Sequence, residues 1–252
     1  IRVPQKRDLV PRAAPISDDT LPILFEDEHL LIVDKPAGLA CHGGSGIAFG
    51  LIERLRASRP NQPFLELAHR LDRDTSGAII VCKSRKALVR LQKSMREGGI
   101  EKHYRTLVKG DWVNDRQHVK LPLFKYVTKE GERRVRVDPE KGVPSHSIFT
   151  LIRRYGDVSF LDVELLTGRT HQIRVHAAES GHPLVGDDKY GDFDFNREVS
   201  KGLLGIPFRR MFLHSYSLAF EHPVTHEKMK IESPLPEACE ELIRVLNERK
   251  TV

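Results

Sequence analysis

Strand-sized runs of β-branched and aromatic residues dominate the C-terminal two thirds of the sequence and constrain its fold more than any other feature. There are six such runs, and only occasional segments of helical periodicity lie between them. The runs cover residues 103–109, 133–137, 146–153, 159–166, 211–220 and 228–232. These runs favour strands because branched and aromatic side chains pack well on a pleated surface. A succession of strands without regularly alternating helices predicts an α+β fold, with a mixed, largely antiparallel central β-sheet and flanking helices and loops.

The N-terminal region divides into a linker-like stretch and a structured part. Residues 1–20 contain three prolines and no apolar periodicity, which is typical of a linker. The structured domain is therefore predicted to cover residues 21–252. Further elements predicted within it are a hairpin of strands at 23–26 and 30–34, a strand at 78–82, and helices at 47–58, 84–97, 171–179 and 236–249. The helix at 84–97 has the clearest ends, with Ser84 as N-cap and Gly98 as stop.

The composition excludes several classes of protein. No apolar run approaches the roughly 18 residues of a membrane span, and the first residues do not have the pattern of a secretory signal. Three widely spaced cysteines form neither a disulfide framework nor a clustered zinc site, so the cytoplasm is the simplest compartment. The 41 Lys and Arg against 35 Asp and Glu give a net charge of +6, which weakly favours a polyanionic partner.

The stretch HRLDRDTSG at residues 69–77 places several charged side chains on one loop. Residues 74–77 are typical of a turn, with Gly77 supplying a positive φ. Turn chemistry does not explain why Arg70, Asp72 and Arg73 occur together. Two guanidiniums flanking one carboxylate would favour its ionised form and offer hydrogen-bond donors to phosphates.

A second constellation, TGRTHQIRVH at residues 167–176, follows a predicted strand and is predicted to open a helix with Thr170 as its cap. Arg169 and Arg174 would then lie near the helix N-terminus, available to a carboxylate or a phosphate; a solvated helix face is the alternative. His171 and His176 are five residues apart, which is not the spacing of a helical metal pair. No metal site is therefore predicted.

Two segments are candidate arms for gripping RNA. Residues 120–141 combine basic residues with aromatic ones around a turn at 130–131, and predict an exposed basic hairpin in which Lys125, Arg133 and Arg134 bind RNA. An exposed hairpin without that role is the alternative, because four acids dilute the charge. The irregular segment 191–210 carries Phe193, Phe195, Arg209 and Arg210 and is interpreted as a second arm.

Taken together, five ordered segments resemble the RluA family of RNA pseudouridine synthases, especially members acting on the large ribosomal subunit. They are HRLDRDTSG at 69–77, KHY at 102–104, GRTHQIRVH at 168–176, GHPLVGD at 181–187 and LHS at 213–215. The fold of this family is the one predicted above. Its members often carry an S4-like RNA-binding domain before the catalytic domain, so residues 1–20 are interpreted as the linker from such a domain.

The resemblance implies an enzyme that breaks the C1′–N1 bond of a uridine, turns the base and rejoins it through C5, with no cofactor or metal. It assigns the essential aspartate to Asp72, the tyrosine that stacks on the uracil and helps to remove the C5 proton to Tyr104, and the basic partner of the aspartate to Arg174. Arg169 is the second choice for that partner. Arg70 is expected to brace the gap left by a flipped base. The expected partner is RNA, most of all 23S ribosomal RNA, bound by a monomer.

Two other functions fit parts of the sequence. A glycosidase or nucleoside hydrolase also acts on a glycosidic carbon but requires a second carboxylate, for which Asp162 and Glu164 are candidates outside any recognisable motif. A non-catalytic RNA-binding module of ribosome assembly would need the basic arms but not Asp72. The chemical step that Asp72 performs stays open at the level of sequence.

Overall fold

The computed structural model describes residues 21–44 and 49–249, so the predicted linker at 1–20 lies outside the described residues. The described strands are β1 Ile23–Glu26, β2 Leu30–Lys35, β3 Glu66–Leu67, β4 Ser76–Cys82, β5 Ile100–Lys109, β6 Arg116–Lys120, β7 Leu123–Val127, β8 Arg133–Val137, β9 His146–Arg154, β10 Val158–Leu165, β11 Leu213–Glu221 and β12 Lys228–Glu232. The described helices are α1 Leu51–Ser58, α2 Arg85–Arg96, α3 Gln172–Glu179, α4 Phe193–Val199 and α5 Glu237–Glu248.

A sheet of ten strands forms the centre of the structure. Its order is β1-β2-β4-β11-β5-β10-β9-β6, with β3 paired to β4 and β12 paired to β11, while β7 and β8 form a separate hairpin. Strands β4 and β11 run parallel, with His214 opposite Ser76. The other pairs between described strands are antiparallel. The prediction of an α+β fold on a mixed, largely antiparallel sheet is therefore confirmed.

Alternate residues of β2 show how the two faces of the sheet are buried. Leu31 and Val33 pack in the apolar cluster that includes α1, whereas Leu30 and Ile32 pack in the cluster that includes α2. Successive strand side chains point to opposite faces, so a strand covered by helices on both sides is apolar at every position. The strand β4 beside it is buried along its whole length, which gives the loop before it a rigid support.

The predicted helices are present, with one shifted start. Helix α2 begins after Ser84, whose hydroxyl accepts from the backbone N–H of Ala87 at 3.2 Å, and it is followed by Gly98 at φ 77°, as predicted. Helix α1 begins at Leu51 rather than at residue 47. Gly50 is extended there, and its N–H donates to the side chain of Glu53 at 2.9 Å, which sets the helix start.

The prediction of a second arm at residues 191–210 is wrong. This segment contains α4, which begins after Asp192, whose carboxylate accepts from the N–H of Phe195 at 2.9 Å. Val199, Leu204 and Phe208 are buried in a cluster with α5 and β10. Phe193 and Leu203 remain exposed, but burial of these three side chains stabilises the segment against the body of the domain.

Two structural facts bear on the classes of protein that composition excluded. All three cysteines are buried free thiols. None of the helices in the described part of the chain is long and apolar enough to cross a membrane.

Two buried histidines make stability depend on pH. His176 and His214 are 0% exposed, and burial lowers the pKa of each to about 4. In the unfolded chain they titrate near 6.5, so between pH 6.5 and 4 the unfolded chain binds protons that the folded chain excludes. Their contribution is complete above pH 6.5 and is lost as pH falls towards 4. The free energy of unfolding is expected to fall by about 2 kcal/mol per histidine between pH 7 and pH 5.

Urea unfolding at the two pH values measures this change. His176→Gln should make the profile less steep, because it removes one of the buried groups that take up a proton on unfolding. His226→Asn is the matched control, since His226 is 64% exposed and its left-handed backbone suits asparagine. A stability that is flat between pH 7 and pH 5, or an equal effect of the two variants, would contradict the assignment.

Candidate active site

Asp72 lies on the loop before β4, and residues from other parts of the chain fix the backbone of this loop. Cys41 Sγ donates to the carbonyl of Leu71 at 3.2 Å and lies 3.3 Å from the N–H of Leu71. The carbonyl of Asp72 accepts from the N–H of Thr75 at 3.2 Å, and Gly77 has a φ of 111°, as the turn pattern predicted. The Asp72 side chain keeps 24% exposure, so a fixed backbone presents its carboxylate to solvent.

Lys35 holds the other side of the same loop. Its side chain is 0% exposed, and Nζ donates to the carbonyls of Pro36 at 3.0 Å, Leu39 at 2.7 Å and Arg73 at 3.0 Å. Burial lowers the pKa of Lys35 to about 8. The sequence analysis assigned no role to this lysine. A buried ammonium bonded to three carbonyls fixes the chain beside Asp72.

Arg174 on α3 contacts Asp72 and is itself held in place by a buried carboxylate. Its Nη1 donates to Asp72 Oδ2 at 3.3 Å, across 102 residues of sequence. Asp187 binds the same guanidinium at two points, Nε and Nη2, each at 2.7 Å, and Asp188 accepts from Nη2 at 3.2 Å. Arg174 is 3% exposed and Asp187 0% exposed, so this fork is screened little by water.

Asp187 was missed as a site residue, although it ends the segment 181–187 that carried part of the family resemblance. Burial alone would raise its pKa, but the hydrogen bonds and charge of Arg174 and the N–H groups of Lys189 and Tyr190 lower it. Asp187 therefore stays ionised. The signal available in the sequence was that Asp187 is the one acidic residue in the segment GHPLVGD at 181–187.

The arginines next to Asp72 in sequence are not its partners. Arg73 pairs with Asp74 at 3.2 Å, and Arg70 is exposed. Within the described residues, neither forms an ion pair with Asp72, so the idea that both flank its carboxylate is wrong. Side chains adjacent on a loop point in different directions. Arg169, the second choice for the partner, is exposed and donates to the carbonyl of Pro144 at 3.3 Å.

Tyr104 lies on β5, in the apolar cluster that also contains Leu71 of the Asp72 loop. The residue is 6% exposed, so it is more buried than a half-buried strand aromatic. Burial raises the pKa of Tyr104 far above its usual range, a hydrogen bond with Ser215 opposes this, and the charge of Asp72 adds to it. The phenol is therefore neutral at pH 7 and lies close enough to Asp72 to feel its charge.

His171 and Tyr190 are two further residues of the site that sequence reasoning did not assign to it. His171 Nε2 lies 3.9 Å from Asp72 Oδ1, and Nδ1 lies 2.7 Å from the hydroxyl of Tyr190. The prediction that Thr170 caps α3 is wrong, because His171 is the N-cap and has a left-handed backbone with φ 54°. His171 was considered only as a metal ligand, and its side chain faces a carboxylate.

The predicted basic hairpin is formed by β7 and β8, and its side chains divide into exposed and engaged groups. Lys125 and Arg133 are exposed. Arg134 is paired with Glu132 at 2.7 Å, and Glu132 also pairs with Lys189 at 2.7 Å. The ion pair of Glu132 with Lys189 thus joins the hairpin to the segment that follows Asp187. Of the three hairpin residues predicted to bind RNA, Lys125 and Arg133 remain available to a ligand.

The second carboxylate of a hydrolase is not supplied by the residues named from sequence. Val163 of β10 lies opposite Tyr104 in the sheet, so Asp162 and Glu164 point to the other face. Asp162 pairs there with His103 at 2.7 Å. The pairing of Asp72 with Asp162 or Glu164 is therefore excluded by the strand register.

Comparison with known proteins shows the family to which this chain belongs. The family model described as RNA pseudouridylate synthase matches residues 29–179. The ribosomal large subunit pseudouridine synthase C of Salmonella typhimurium is 47% identical over 228 residues, which cover 90% of this chain and 70% of that protein. The protein of the same name from Pasteurella multocida is 45% identical over 258 residues, covering 100% of this chain and 78% of that protein.

A solved structure shows the same likeness in three dimensions. Human RNA pseudouridylate synthase domain containing 1 superposes with a TM-score of 0.69 at 26% identity, over 93% of this chain and 97% of that one. The matched range 29–179 contains Asp72, Tyr104 and Arg174, the residues that the fold brings together. The chain belongs to the RNA pseudouridylate synthase family.

Proposed function

We propose that this protein isomerises specific uridines to pseudouridine in large-subunit ribosomal RNA, with Asp72 as the catalytic carboxylate. The single observation that carries the proposal is the contact of Asp72 with the buried Arg174 at 3.3 Å, in a family of uridine-isomerising enzymes. The named large-subunit synthases that resemble the chain at 47% and 45% identity support the substrate. The protein acts in the cytoplasm as a monomer.

The arrangement suits an isomerisation better than a hydrolysis. In pseudouridine formation the C1′–N1 bond breaks, a C1′–C5 bond forms, and the proton lost from C5 is balanced by one gained at N1, so no water is consumed. One ionised carboxylate suffices. A hydrolase would need a second carboxyl group held as an acid. Asp187 has a lowered pKa and is bound to Arg174, which makes it a poor general acid.

Tyr104 and Arg174 have separate roles in this proposal. Arg174 holds the carboxylate of Asp72 in one orientation, since its own position is set by the two hydrogen bonds that it donates to Asp187. Tyr104 offers its ring to the uracil, and its neutral phenol assists the transfer of the C5 proton. With 6% exposure, the ring requires a shift of neighbouring side chains before a base can stack on it.

The RNA path runs across exposed cations on several elements. Arg70 and Arg73 lie on the loop of Asp72, Arg169 lies before α3, and the hairpin supplies Lys125 and Arg133. The engaged Arg134 contributes through the shape of the hairpin, because Glu132 already neutralises it. The target base must leave its stack to reach Asp72, and Arg70 braces the gap that it leaves.

Release of tritium from ribosomal RNA labelled at uridine C5 tests the proposed function. The wild-type chain is expected to release tritium without forming free uracil. Free uracil would favour a nucleoside hydrolase. Binding of RNA without any release would favour a non-catalytic module of ribosome assembly. Mapping pseudouridines in ribosomal RNA of cells that lack the protein identifies the target positions.

Removing a hairpin cation is expected to weaken RNA binding in a salt-dependent way. Lys125→Ala and Arg133→Ala should each reduce the slope of log affinity against log salt by about one, because each removes one phosphate contact. Filter binding between 50 and 200 mM salt, roughly the range in which phosphate contacts dominate, measures the slope. Arg244→Ala on α5 is the charge-matched control. Equal slopes for all three variants would contradict the role of the hairpin.

A further inference from the structure

Tyr190 joins the basic hairpin to the candidate active site through one oxygen atom. Its hydroxyl accepts a hydrogen bond from the backbone N–H of Val135 on β8 at 2.8 Å and lies 2.7 Å from Nδ1 of His171. Its ring lies against the guanidinium of Arg174, 5.2 Å from ring centroid to Cζ. Within residues 21–44 and 49–249, no other protein group is hydrogen-bonded to this hydroxyl.

These contacts decide which nitrogen of His171 carries the proton. Val135 N–H already donates to the hydroxyl of Tyr190, so the hydroxyl hydrogen needs an acceptor, and Nδ1 of His171 is the one within reach. Burial lowers the pKa of His171, Asp72 opposes this and Arg174 adds to it, so the ring is neutral at pH 7. A neutral ring that accepts at Nδ1 bears its proton on Nε2. That nitrogen faces Asp72 Oδ1 at 3.9 Å.

The backbone of His171 gives a second, independent observation. Its φ of 54° and ψ of 20° lie in the left-handed region, which costs free energy for any residue with a Cβ. The side chain of this N-cap makes no capping hydrogen bond to α3. Strain of this kind persists where surrounding contacts require it, and it concentrates at functional sites. Here the contacts are those with Tyr190 and the orientation towards Asp72.

We propose that His171 is a positioning residue for Asp72, and that Tyr190 sets its tautomer so that Nε2–H donates to Asp72 Oδ1 when RNA fills the site. Arg174 contacts Oδ2 at 3.3 Å, so the two donors take one carboxylate oxygen each and fix the plane of the carboxylate. The 3.9 Å separation is longer than a hydrogen bond, and such contacts tighten when substrate binds. This inference rests on the proposed function.

Two substitutions at the same position separate this role from a purely structural one. His171→Asn suits the left-handed backbone and can accept from Tyr190, but it has no donor that reaches Asp72. His171→Gln is less suited to that backbone but places an amide N–H close to the position of Nε2. We expect His171→Asn to lower kcat by about 10- to 100-fold with KM within about threefold, and His171→Gln to retain kcat within about fivefold. The reverse order would mean a backbone role and would overturn the proposal.

Nitrogen-15 chemical shifts of the His171 ring in the full chain test the tautomer without any substrate. The wild-type protein is expected to show protonation at Nε2. Tyr190→Phe keeps the ring on Arg174 and removes one oxygen atom; it should show a mixture of tautomers and a kcat about 3- to 10-fold lower. Protonation at Nδ1 in the wild-type protein would overturn the proposal. If the wild-type chain released no tritium, the proposed function would fail, and the ring shifts would still decide the tautomer.

Discussion

Asp72→Asn is expected to lower kcat for uridine isomerisation by about 10³-fold or more while RNA affinity and folding stay unchanged. The amide has the shape of the carboxylate, and the turn bond from Thr75 is made to the backbone carbonyl, so the loop keeps its conformation. A neutral amide cannot replace an ionised carboxylate at a reacting sugar or base. Tritium release from RNA labelled at uridine C5 measures the loss, and filter binding measures the affinity.

Asp74→Asn is the matched control for this prediction. Asp74 lies on the same loop, but its carboxylate pairs with Arg73 at the surface, at 3.2 Å. Activity within about threefold of wild type is expected, because an exposed ion pair contributes little. Full activity of Asp72→Asn would remove Asp72 from the reaction. Equal losses in the two variants would point to the shape of the loop and not to one carboxylate.

Arg174→Leu is expected to reduce the free energy of unfolding by about 3–5 kcal/mol and to abolish activity. The substitution leaves Asp187 at 0% exposure without the guanidinium that binds both of its oxygens. Among the residues that the structure describes, only the backbone N–H groups of Lys189 and Tyr190 would remain as donors to Oδ1. An unpaired buried carboxylate either protonates or admits water, and both outcomes cost stability. Urea unfolding measures the change.

Two further variants separate stability from catalysis. Arg169→Leu should change stability by no more than about 0.5 kcal/mol, because this arginine is exposed. The double variant Arg174→Leu/Asp187→Leu should recover much of the stability of Arg174→Leu, since it removes the unpaired charge, but it should stay inactive. An equal loss of stability in Arg169→Leu and Arg174→Leu would contradict the proposed contribution of the buried Arg174–Asp187 pair. Activity in the double variant would remove Arg174 from the reaction.

Elements that depend on local chemistry were predictable from the sequence. Helix α2 has a serine cap, an apolar face and a glycine stop within 15 residues, counted from Ser84 to Gly98. The strands β1, β2 and β8–β12 were predicted from short runs that mix apolar, β-branched and aromatic residues. Helix α4 was missed because its seven residues carry little periodicity of their own. Its burial against α5 supplies the free energy that local propensity lacks.

The pairing of side chains inside the site depends on tertiary contacts and not on local sequence. Local sequence pattern suggested Arg70 and Arg73 as neighbours of the Asp72 carboxylate, because proximity along the chain is the only distance a sequence contains, whereas the family resemblance named Arg174 as its partner. In the fold, Arg73 pairs with Asp74 and Arg70 is exposed, and the buried Arg174 reaches Asp72 from 102 residues further on. The left-handed conformation of His171 was not predicted from the sequence; in the fold, the ring of this residue contacts the hydroxyl of Tyr190, 19 residues further on.

By itself, the sequence determined the class of fold, most element positions and the identity of the three residues that family resemblance singles out, because periodicity, capping and motif order are properties of neighbouring residues. Apart from the contact of Arg174 with Asp72, which the family resemblance named, only the tertiary structure decided which charges meet. It brought Asp187 into contact with Arg174, Lys35 into contact with the Asp72 loop, and His171 close to Oδ1 of Asp72. Those pairings depend on burial, where an unpaired charge is costly, and burial is set by strands and helices distant in sequence.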